Sequence, residues 1–326
     1  MRRLRLPPAI VLFLLAPAIG ELLSSSMPPS EFFNPAGFLL AALLYGNGAI
    51  LVRELTLRWG KGWPSILILG AAYGIVEEGL ACKSFFDPNW ADVGILGSYG
   101  RWAGVNWVWS VELTIYHAVF SIAIPILLVT LAFPERRAEP WVGPRTFKVL
   151  AGLMAADVVF MHVAITPFRP PWALIALAVL AVLALVRLAR RLPVPVAGPP
   201  GTAAPRARRF WLAGLLTTVA FFLVSWVLPN LVAVPVTLLL LVGLPWVAWR
   251  SLRALTSGWR AWPAPQQLAL AAGALSFFIA LAPLIEMDRT RPDSPAGQTW
   301  VGIAAALLLV SLARRVQRRE ARAGVE

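Results

Sequence analysis

The chain has 326 residues, of which 59% are hydrophobic, and its net charge is +13 at neutral pH. Its mean hydropathy is +0.72. A soluble domain of this size cannot bury that much apolar surface, so the composition excludes a soluble globular protein and indicates an all-α polytopic membrane protein. The single cysteine, Cys82, excludes an internal disulfide.

Ten apolar runs have the length of a membrane span. The first could be a signal peptide cleaved after Ala16-Pro17-Ala18, but its apolar run continues to Leu23, which favours an uncleaved helix. Runs seven and eight are joined only by Pro229-Asn230 and could instead form a re-entrant hairpin. The predicted spans are 7–24, 36–52, 63–82, 107–131, 147–166, 171–188, 210–228, 231–249, 266–285 and 298–314.

The basic residues lie between these runs, where they set topology and meet anionic lipid. The lipid bilayer is therefore an expected partner, and nucleic acid is not. This alternation predicts about ten helices with both termini inside, as in a multi-pass protein of a prokaryotic plasma membrane. In this arrangement few basic residues lie outside: Lys83, Arg101, Arg169, Arg289 and Arg291.

A Pro/Gly/Ala-rich stretch at 193–205 divides the chain into two predicted parts. Residues 1–192 form a six-helix membrane domain, and residues 206–326 form a four-helix membrane scaffold. No acidic residue occurs between Asp157 and Glu286. We therefore expect the chemistry in the first part.

Ionisable residues inside apolar runs are costly and usually functional. The chain has two histidines, His117 and His162, and both lie in such runs, as does its only adjacent pair of glutamates, Glu77 and Glu78. The predicted topology places these residues on three consecutive helices, where they could meet in an outward-facing cavity. Helical spacing also aligns His117 with Ser121.

Such a set has three possible uses. A carboxylate of Glu77 or Glu78 could activate water while the histidines stabilise the oxyanion. Alternatively, Glu77, His117 and His162 could hold a divalent metal. Embedded Glu, Asp and His residues also serve as proton relays in transporters.

The order Glu77-Glu78, His117 and His162 resembles the CAAX-protease and bacteriocin-processing (CPBP) family of intramembrane proteases. The resemblance implies that Glu77 or Glu78 activates water, that both histidines assist catalysis, and that the substrate is a membrane-embedded peptide. It covers roughly residues 63–170. It implies no certain cofactor, and a divalent metal stays possible. Three positions depart from the family pattern: Cys82, followed by Lys83, stands where the family has Arg; Thr166 stands where it commonly has Asn or Asp; and Leu113 replaces an aromatic residue.

The other polar residues have expected supporting roles. Lys83 or Arg101 could neutralise the glutamate pair. Glu112 is expected to anchor the tryptophan-rich loop 84–106 through Arg101 or Asn106. The loop itself suits either an aromatic belt or a lid.

Three more polar residues lie within or beside the apolar runs. Asp157 is expected to form a buried pair with an Arg or a His. Glu54, beside Arg53, is interpreted as a surface ion pair. Asn47, between two glycines, predicts a close helix crossing with one interhelical hydrogen bond.

The leading hypothesis from the sequence is an intramembrane hydrolase. The alternative is a multi-pass transporter or proton-coupled carrier, which would need a polar path to the inner side through Asn47, Arg53 and Glu54. A non-catalytic membrane assembly protein is the third possibility.

Overall fold

The computed structural model describes residues 6–193, 205–256 and 262–323. Within these ranges, nine helices are long and apolar enough to cross a membrane, and one apolar helix at the start is shorter. The all-α polytopic prediction is confirmed. In chain order the helices are α1 Pro8–Leu23, α2 Pro35–Arg58, α3 Trp63–Ala81, α4 Trp107–Ala132, α5 Pro144–Ile165, α6 Trp172–Arg191, α7 Ala207–Asn230, α8 Val234–Thr256, α9 Ala264–Met287 and α10 Gln298–Ala323.

The predicted spans match these helices closely, and the differences lie at the helix ends. α2 continues to Arg58 and α10 to Ala323, well beyond the predicted ends at 52 and 314. Hydropathy marks only the apolar part of a helix, whereas Arg, Glu and Ala continue the helical backbone readily. The predicted linker, apart from residues 193 and 205, lies outside the described residues.

Three spans for which the sequence allows an alternative form helices in the structure. α7 and α8 are 24 and 23 residues long, so each has the length of a full crossing rather than half of a re-entrant hairpin. α1 packs inside the bundle, where Leu12 and Ala16 are fully buried.

The two predicted parts of the chain pack against each other. α7 and α9 cross at Gly214 and Gly273. A Cβ on Gly214 would lie 2.1 Å from the carbonyl oxygen of Leu270, so only glycine permits this approach. The α7–α9 pair also contacts α4 of the first part. The rings of Phe120 on α4 and Phe278 on α9 have their centroids 5.1 Å apart.

Side chains also connect the two ends of the chain. Gln298, at the start of α10, donates a hydrogen bond from Nε2 to the carbonyl oxygen of Leu22 at 2.8 Å. In the preceding loop, Arg291 donates to the carbonyl oxygen of Ser25 at 2.9 Å. The predicted scaffold is thus bonded directly to the end of α1.

Helix burial separates a centre from a periphery. In the most apolar 18-residue segment of α4, 78% of the residues are buried within the protein. The same share is 6% in α5 and 11% in each of α6 and α8. The apolar outer faces of α5, α6 and α8 therefore remain for lipid.

The loop between α3 and α4 folds back onto the bundle. It contains a two-stranded hairpin, β1 Arg101–Trp102 and β2 Val105–Asn106. The Arg101 guanidinium donates to the carbonyl oxygens of Phe86, Asp87 and Gly97. Asn106 caps α4 by accepting a hydrogen bond from the backbone N–H of Trp109 at 3.1 Å. Arg101 and Asn106 thus organise the loop itself.

The interpretation of Glu54 as part of a surface ion pair is wrong. Both partners are buried, and Arg53 Nη1 lies 2.7 Å from Glu54 Oε1. The same oxygen accepts the backbone N–H of Trp141 at 2.8 Å, and the Arg53 guanidinium stacks over the Trp141 ring at 3.7 Å. This network fastens the end of α2 to the loop between α4 and α5.

The glycines beside Asn47 do mark close contacts, as predicted. A Cβ on Gly46 would lie 2.5 Å from the carbonyl oxygen of Phe13, and one on Gly48 would lie 2.3 Å from the Tyr73 ring. The predicted hydrogen bond of Asn47 is absent, because neither of its side-chain polar atoms has a partner among the described residues.

Candidate functional site

The polar residues gather where several helices widen into π-helical turns. An extra residue per turn shifts the side chains around the axis, and such turns are frequent at functional sites. Four of these segments face one another: Ala18–Leu23 in α1, Ala42–Gly46 in α2, Val76–Ala81 in α3 and His117–Ala123 in α4. They carry Glu21, Tyr45, Glu77, Glu78 and His117.

His117 lies between the two adjacent carboxylates. Its Nε2 is 3.0 Å from Glu78 Oε1, and its Nδ1 is 3.0 Å from Glu77 Oε2. All three residues are buried, with Glu77 and His117 each 2% exposed. We call Glu77, Glu78 and His117 the carboxylate–imidazole trio.

The two carboxylates of the trio have different surroundings. Glu78 is held on both sides, because Ser84 donates to its second oxygen and Ser84 Oγ accepts from Trp109 Nε1 at 3.0 Å. Glu77 Oε2, in contrast, forms no well-aligned hydrogen bond among the described residues, although His117 Nδ1 lies 3.0 Å from it. The nearby Nδ1 of His117 contacts Ser121 Oγ at 3.0 Å, in agreement with the predicted alignment of these two residues.

Glycines on α3 allow the trio to form. A Cβ on Gly74 would lie 3.0 Å from the Cβ of His117, and one on Gly70 would lie 2.8 Å from the Cα of Ala118. Small residues at these positions therefore bring the glutamate-bearing helix onto α4.

A third carboxylate lies beside the trio. Tyr45 donates a hydrogen bond to Glu21, and the Tyr45 ring is 5.9 Å from the His117 ring between centroids. Tyr73 and Tyr116 pack around the same imidazole at 6.1 and 5.2 Å. The predicted topology places Glu21 on the same outer side as the trio, but the sequence assigns it no role in the site. Tyr45 carries no signal in the sequence, since tyrosine is ordinary in an apolar run.

His162 is not part of the trio. Its Nδ1 donates to the carbonyl oxygen of Leu80 at 2.6 Å, and its own carbonyl oxygen accepts from Lys83 Nζ at 2.6 Å. Lys83 also donates to the carbonyl oxygen of Thr166, whose hydroxyl donates to Ala81. These bonds attach the end of α5 to the end of α3.

Lys83 therefore donates hydrogen bonds to backbone carbonyl oxygens and does not neutralise Glu77 or Glu78. Its side chain is fully buried just beyond the end of α3. Burial, with a smaller effect of Arg169, lowers the pKa of Lys83 from its ordinary value. The expected pairing of Lys83 or Arg101 with Glu77 and Glu78 is wrong, because His117 takes that place.

Two further acids also differ from expectation. Glu112 faces Ser225 and Trp226 of α7, so its predicted contact with Arg101 or Asn106 is wrong. Asp157 is buried on α5, and its Oδ2 has no hydrogen-bond partner among the described residues. Among the described residues, no Arg or His forms the ion pair predicted for Asp157.

The trio has the donor set of a possible metal site. One ligand atom from each of Glu77, Glu78 and His117 lies within 4.8 Å of the others. Among the described residues Glu78 therefore replaces His162 in the predicted metal-binding set. Two carboxylates and one neutral imidazole would balance the charge of a divalent cation, which matters in a medium that disfavours net charge.

An apolar cavity of about 410 Å³ lies between α3, α4, α6 and α8, and no member of the trio lines it. Ile75 lies one turn before Glu78 on α3, and Thr114 lies one turn before His117 on α4, and both line this cavity. Leu177 of α6 and Val242 of α8 line its opposite side and are 48% and 62% exposed. The cavity therefore opens between two peripheral helices.

A comparison with protein families matches residues 10–323 to an uncharacterized membrane protein family. The chain belongs to this family. No curated protein and no solved structure matches the chain. Membership in this membrane protein family agrees with the polytopic helical architecture of the described residues. The family description states no activity, so the CPBP resemblance stays a prediction.

Proposed function

We propose that this family member is an intramembrane hydrolase that uses a carboxylate-activated water, the activity that the CPBP resemblance implies. The observation that supports it is the buried His117 imidazole, 3.0 Å from both Glu77 and Glu78. A possible base and a hydrogen-bond donor then lie within hydrogen-bond reach of each other, as general acid–base catalysis requires.

The surroundings suggest separate roles for the two glutamates. Glu77 Oε2 forms no hydrogen bond among the described residues and faces only the His117 Nδ1 contact at 3.0 Å, so we assign Glu77 as the general base. Glu78 is occupied by Ser84 and His117, so it orients the imidazole. Water adds through its oxygen to the substrate carbonyl carbon as its proton passes to Glu77, and an N–H of His117 stabilises the oxyanion. Glu77 then gives that proton to the leaving group as the scissile bond breaks.

The substrate class that fits is a membrane-embedded peptide. The apolar cavity is lined by Leu177 and Val242 of the lipid-facing helices α6 and α8, and by residues of α3 and α4, the helices that carry the trio. A segment that is soluble in the bilayer can enter such a cavity without crossing water. A divalent cation in the trio would supply a Lewis acid to the same reaction.

The test compares membranes from cells that express the wild type, Glu77→Gln, Glu78→Gln or His117→Gln. Mass spectrometry identifies peptide termini that appear only with the active protein. Because general acid–base catalysis contributes about 10²–10⁴-fold, we expect those termini to fall by at least about 100-fold in the Glu77 and His117 variants. Glu112→Gln, a buried acid on α4 outside the trio, is the matched control and should process normally. Normal processing in all three trio variants would exclude a hydrolase at this site.

The carrier hypothesis has less support. It needs a polar path through Asn47, Arg53 and Glu54, but Arg53 and Glu54 are engaged with Trp141 and the adjoining loop. An assembly role has no specific observation in its favour.

A further inference from the structure

The chain turns sharply where α3 ends. Lys83 has a backbone φ of +63°, in the left-handed region that glycine adopts freely and other residues rarely do. Its carbonyl oxygen accepts hydrogen bonds from the backbone N–H groups of Phe86 and Asp87 at 2.9 and 3.0 Å. A lysine keeps this conformation only where the surrounding contacts hold it there. The turn at Lys83 therefore needs a support from elsewhere in the fold.

The Lys83 side chain supplies that support by fastening the turn to α5. It is fully buried, and its Nζ donates to the carbonyl oxygens of His162 and Thr166 at 2.6 and 2.7 Å. Both acceptors are backbone atoms at the end of α5 or just beyond it. A buried ammonium group is tolerated when it is hydrogen-bonded in this way. The end of α5 thus sets the position of Lys83 and of the residue that follows it.

That following residue, Ser84, reaches back to the trio. Ser84 is fully buried, and its hydroxyl donates to Glu78 Oε2, six residues earlier in the chain. Ser84 Oγ also accepts from Trp109 Nε1 at 3.0 Å. An indole nitrogen only donates and a hydroxyl has one proton, so the Ser84 proton is committed to Glu78. The other oxygen of Glu78, Oε1, lies 3.0 Å from His117 Nε2.

We propose that the turn formed by Lys83 and Ser84 positions the trio for catalysis. This inference rests on the proposed hydrolase. Ser84 does not line the apolar cavity and acts only through Glu78, so it is a positioning residue. By holding Glu78 Oε2 it fixes the rotation of the carboxylate, and Oε1 in turn holds the imidazole of His117. Catalytic groups need such supporting hydrogen bonds, because small displacements cost much of the rate. Lys83 and the end of α5 thereby contribute to the site although neither enters it.

The first test measures turnover of the peptide whose new terminus the processing experiment identifies. Ser84→Ala removes the hydroxyl and adds no volume. We expect kcat to fall by about 10–100-fold with little change in KM, because a misplaced catalytic group slows the chemical step. Ser65→Ala is the matched control, since Ser65 is a buried serine at the opposite end of α3 and donates to the carbonyl oxygen of Ala189 at 2.8 Å. A normal kcat in Ser84→Ala, or an equal fall in Ser65→Ala, would overturn the proposal.

A second test needs no substrate. The chain has two histidines, so nitrogen NMR of protein that carries isotope-labelled histidine shows ring signals of His117 and His162 only, and His162→Ala identifies those of His117. Ser84→Ala should shift the ring-nitrogen resonances of His117. Lys83→Met, which removes the ammonium group but keeps the side-chain length, should shift them as well, whereas Ser65→Ala should leave them in place. Size-exclusion chromatography checks that each variant folds.

The outcomes separate this proposal from the hydrolase itself. Unshifted resonances in Ser84→Ala contradict the positioning of His117, and a shift in Ser84→Ala without one in Lys83→Met contradicts the part of Lys83. Loss of processing in Glu77→Gln together with a normal kcat in Ser84→Ala would reject the positioning role and keep the hydrolase. Normal processing in all three trio variants would reject the hydrolase and any role of the turn in catalysis.

Discussion

At the scale of single residues, neighbouring side chains separate two chemically identical groups. Glu77 and Glu78 are adjacent in the sequence, yet Ser84 bonds only Glu78. Glu77 Oε2 forms no well-aligned hydrogen bond among the described residues, although His117 Nδ1 lies 3.0 Å from it. Because a buried polar atom without a partner is costly, it is retained mainly where function needs it. The assignment of Glu77 as the base follows from this difference.

Buried charge also explains why Glu54 is held so tightly. Its carboxylate is fully buried and accepts hydrogen bonds from Arg53 and from the backbone of Trp141. A buried carboxylate is tolerated when it is fully bonded. The exposed pair of Arg136 and Glu139, 3.3 Å apart, faces solvent and contributes little.

The prediction at this scale concerns Gly20. Gly20→Ala places a Cβ against the Tyr45 ring and Ser121, and such overpacking costs about 1–3 kcal/mol. Gly152→Ala on the exposed face of α5 meets no atom within 4 Å and should stabilise its helix by up to about 1 kcal/mol. Unfolding in detergent measures both variants. Equal Tm values for the two would contradict the close approach of α1 to α2 and α4.

At the scale of elements, the π-helical turns decide which side chains meet. A regular helix would rotate Glu78 or His117 away from the positions they hold, since one extra residue changes the facing side by about 100°. A further π-helical segment, Met161–Ile165, carries His162. It directs that imidazole to the carbonyl oxygen of Leu80.

The prediction at this scale separates His162 from His117. His162→Ala removes one hydrogen bond to the end of α3, worth about 1 kcal/mol, so processing should stay within about tenfold of the wild type while Tm falls. His117→Gln should abolish processing. Both variants enter the same mass-spectrometric assay of new termini. An equally complete loss in His162→Ala would show that His162 acts in the reaction, as the CPBP resemblance implies.

At the scale of the whole molecule, the two predicted parts support one site. The site residues lie on α1 to α4, but α4 is covered by aromatic side chains of α7 and α9. Phe120 contacts Phe222 and Phe278, with ring centroids 6.3 and 5.1 Å apart. Gln298 of α10 bonds the end of the helix that carries Glu21.

The prediction at this scale divides the chain within the Pro/Gly/Ala-rich stretch. Residues 1–199 and 200–326, expressed together as separate chains, should copurify and process as the intact protein does, because the packing between the parts is noncovalent and extensive. Residues 1–199 alone should lose processing and aggregate, since α4 then exposes Phe120 and its neighbours. Gly273→Leu in the second fragment blocks the α7–α9 crossing and serves as the control. A first fragment that is stable and active alone would refute this dependence.

The sequence by itself determined the class of fold and most of its elements. Hydropathy is a property of each residue, so ten apolar runs were readable without knowing how they pack. It also pointed to Glu77, Glu78 and His117, since an ionisable group in an apolar run is conspicuous wherever the run lies. Helix ends were less readable, because charged residues extend a helix beyond its apolar part.

Only the tertiary structure decided which polar residues share a site. Helical spacing relates residues on one helix, whereas contacts between helices depend on rotation, depth and closeness of approach. Gly20, Gly48 and Gly74 set those distances, and the π-helical turns set the rotations. For that reason His162 was expected in the trio and lies outside it, while Glu21 and Tyr45 were absent from the predicted site and lie beside it.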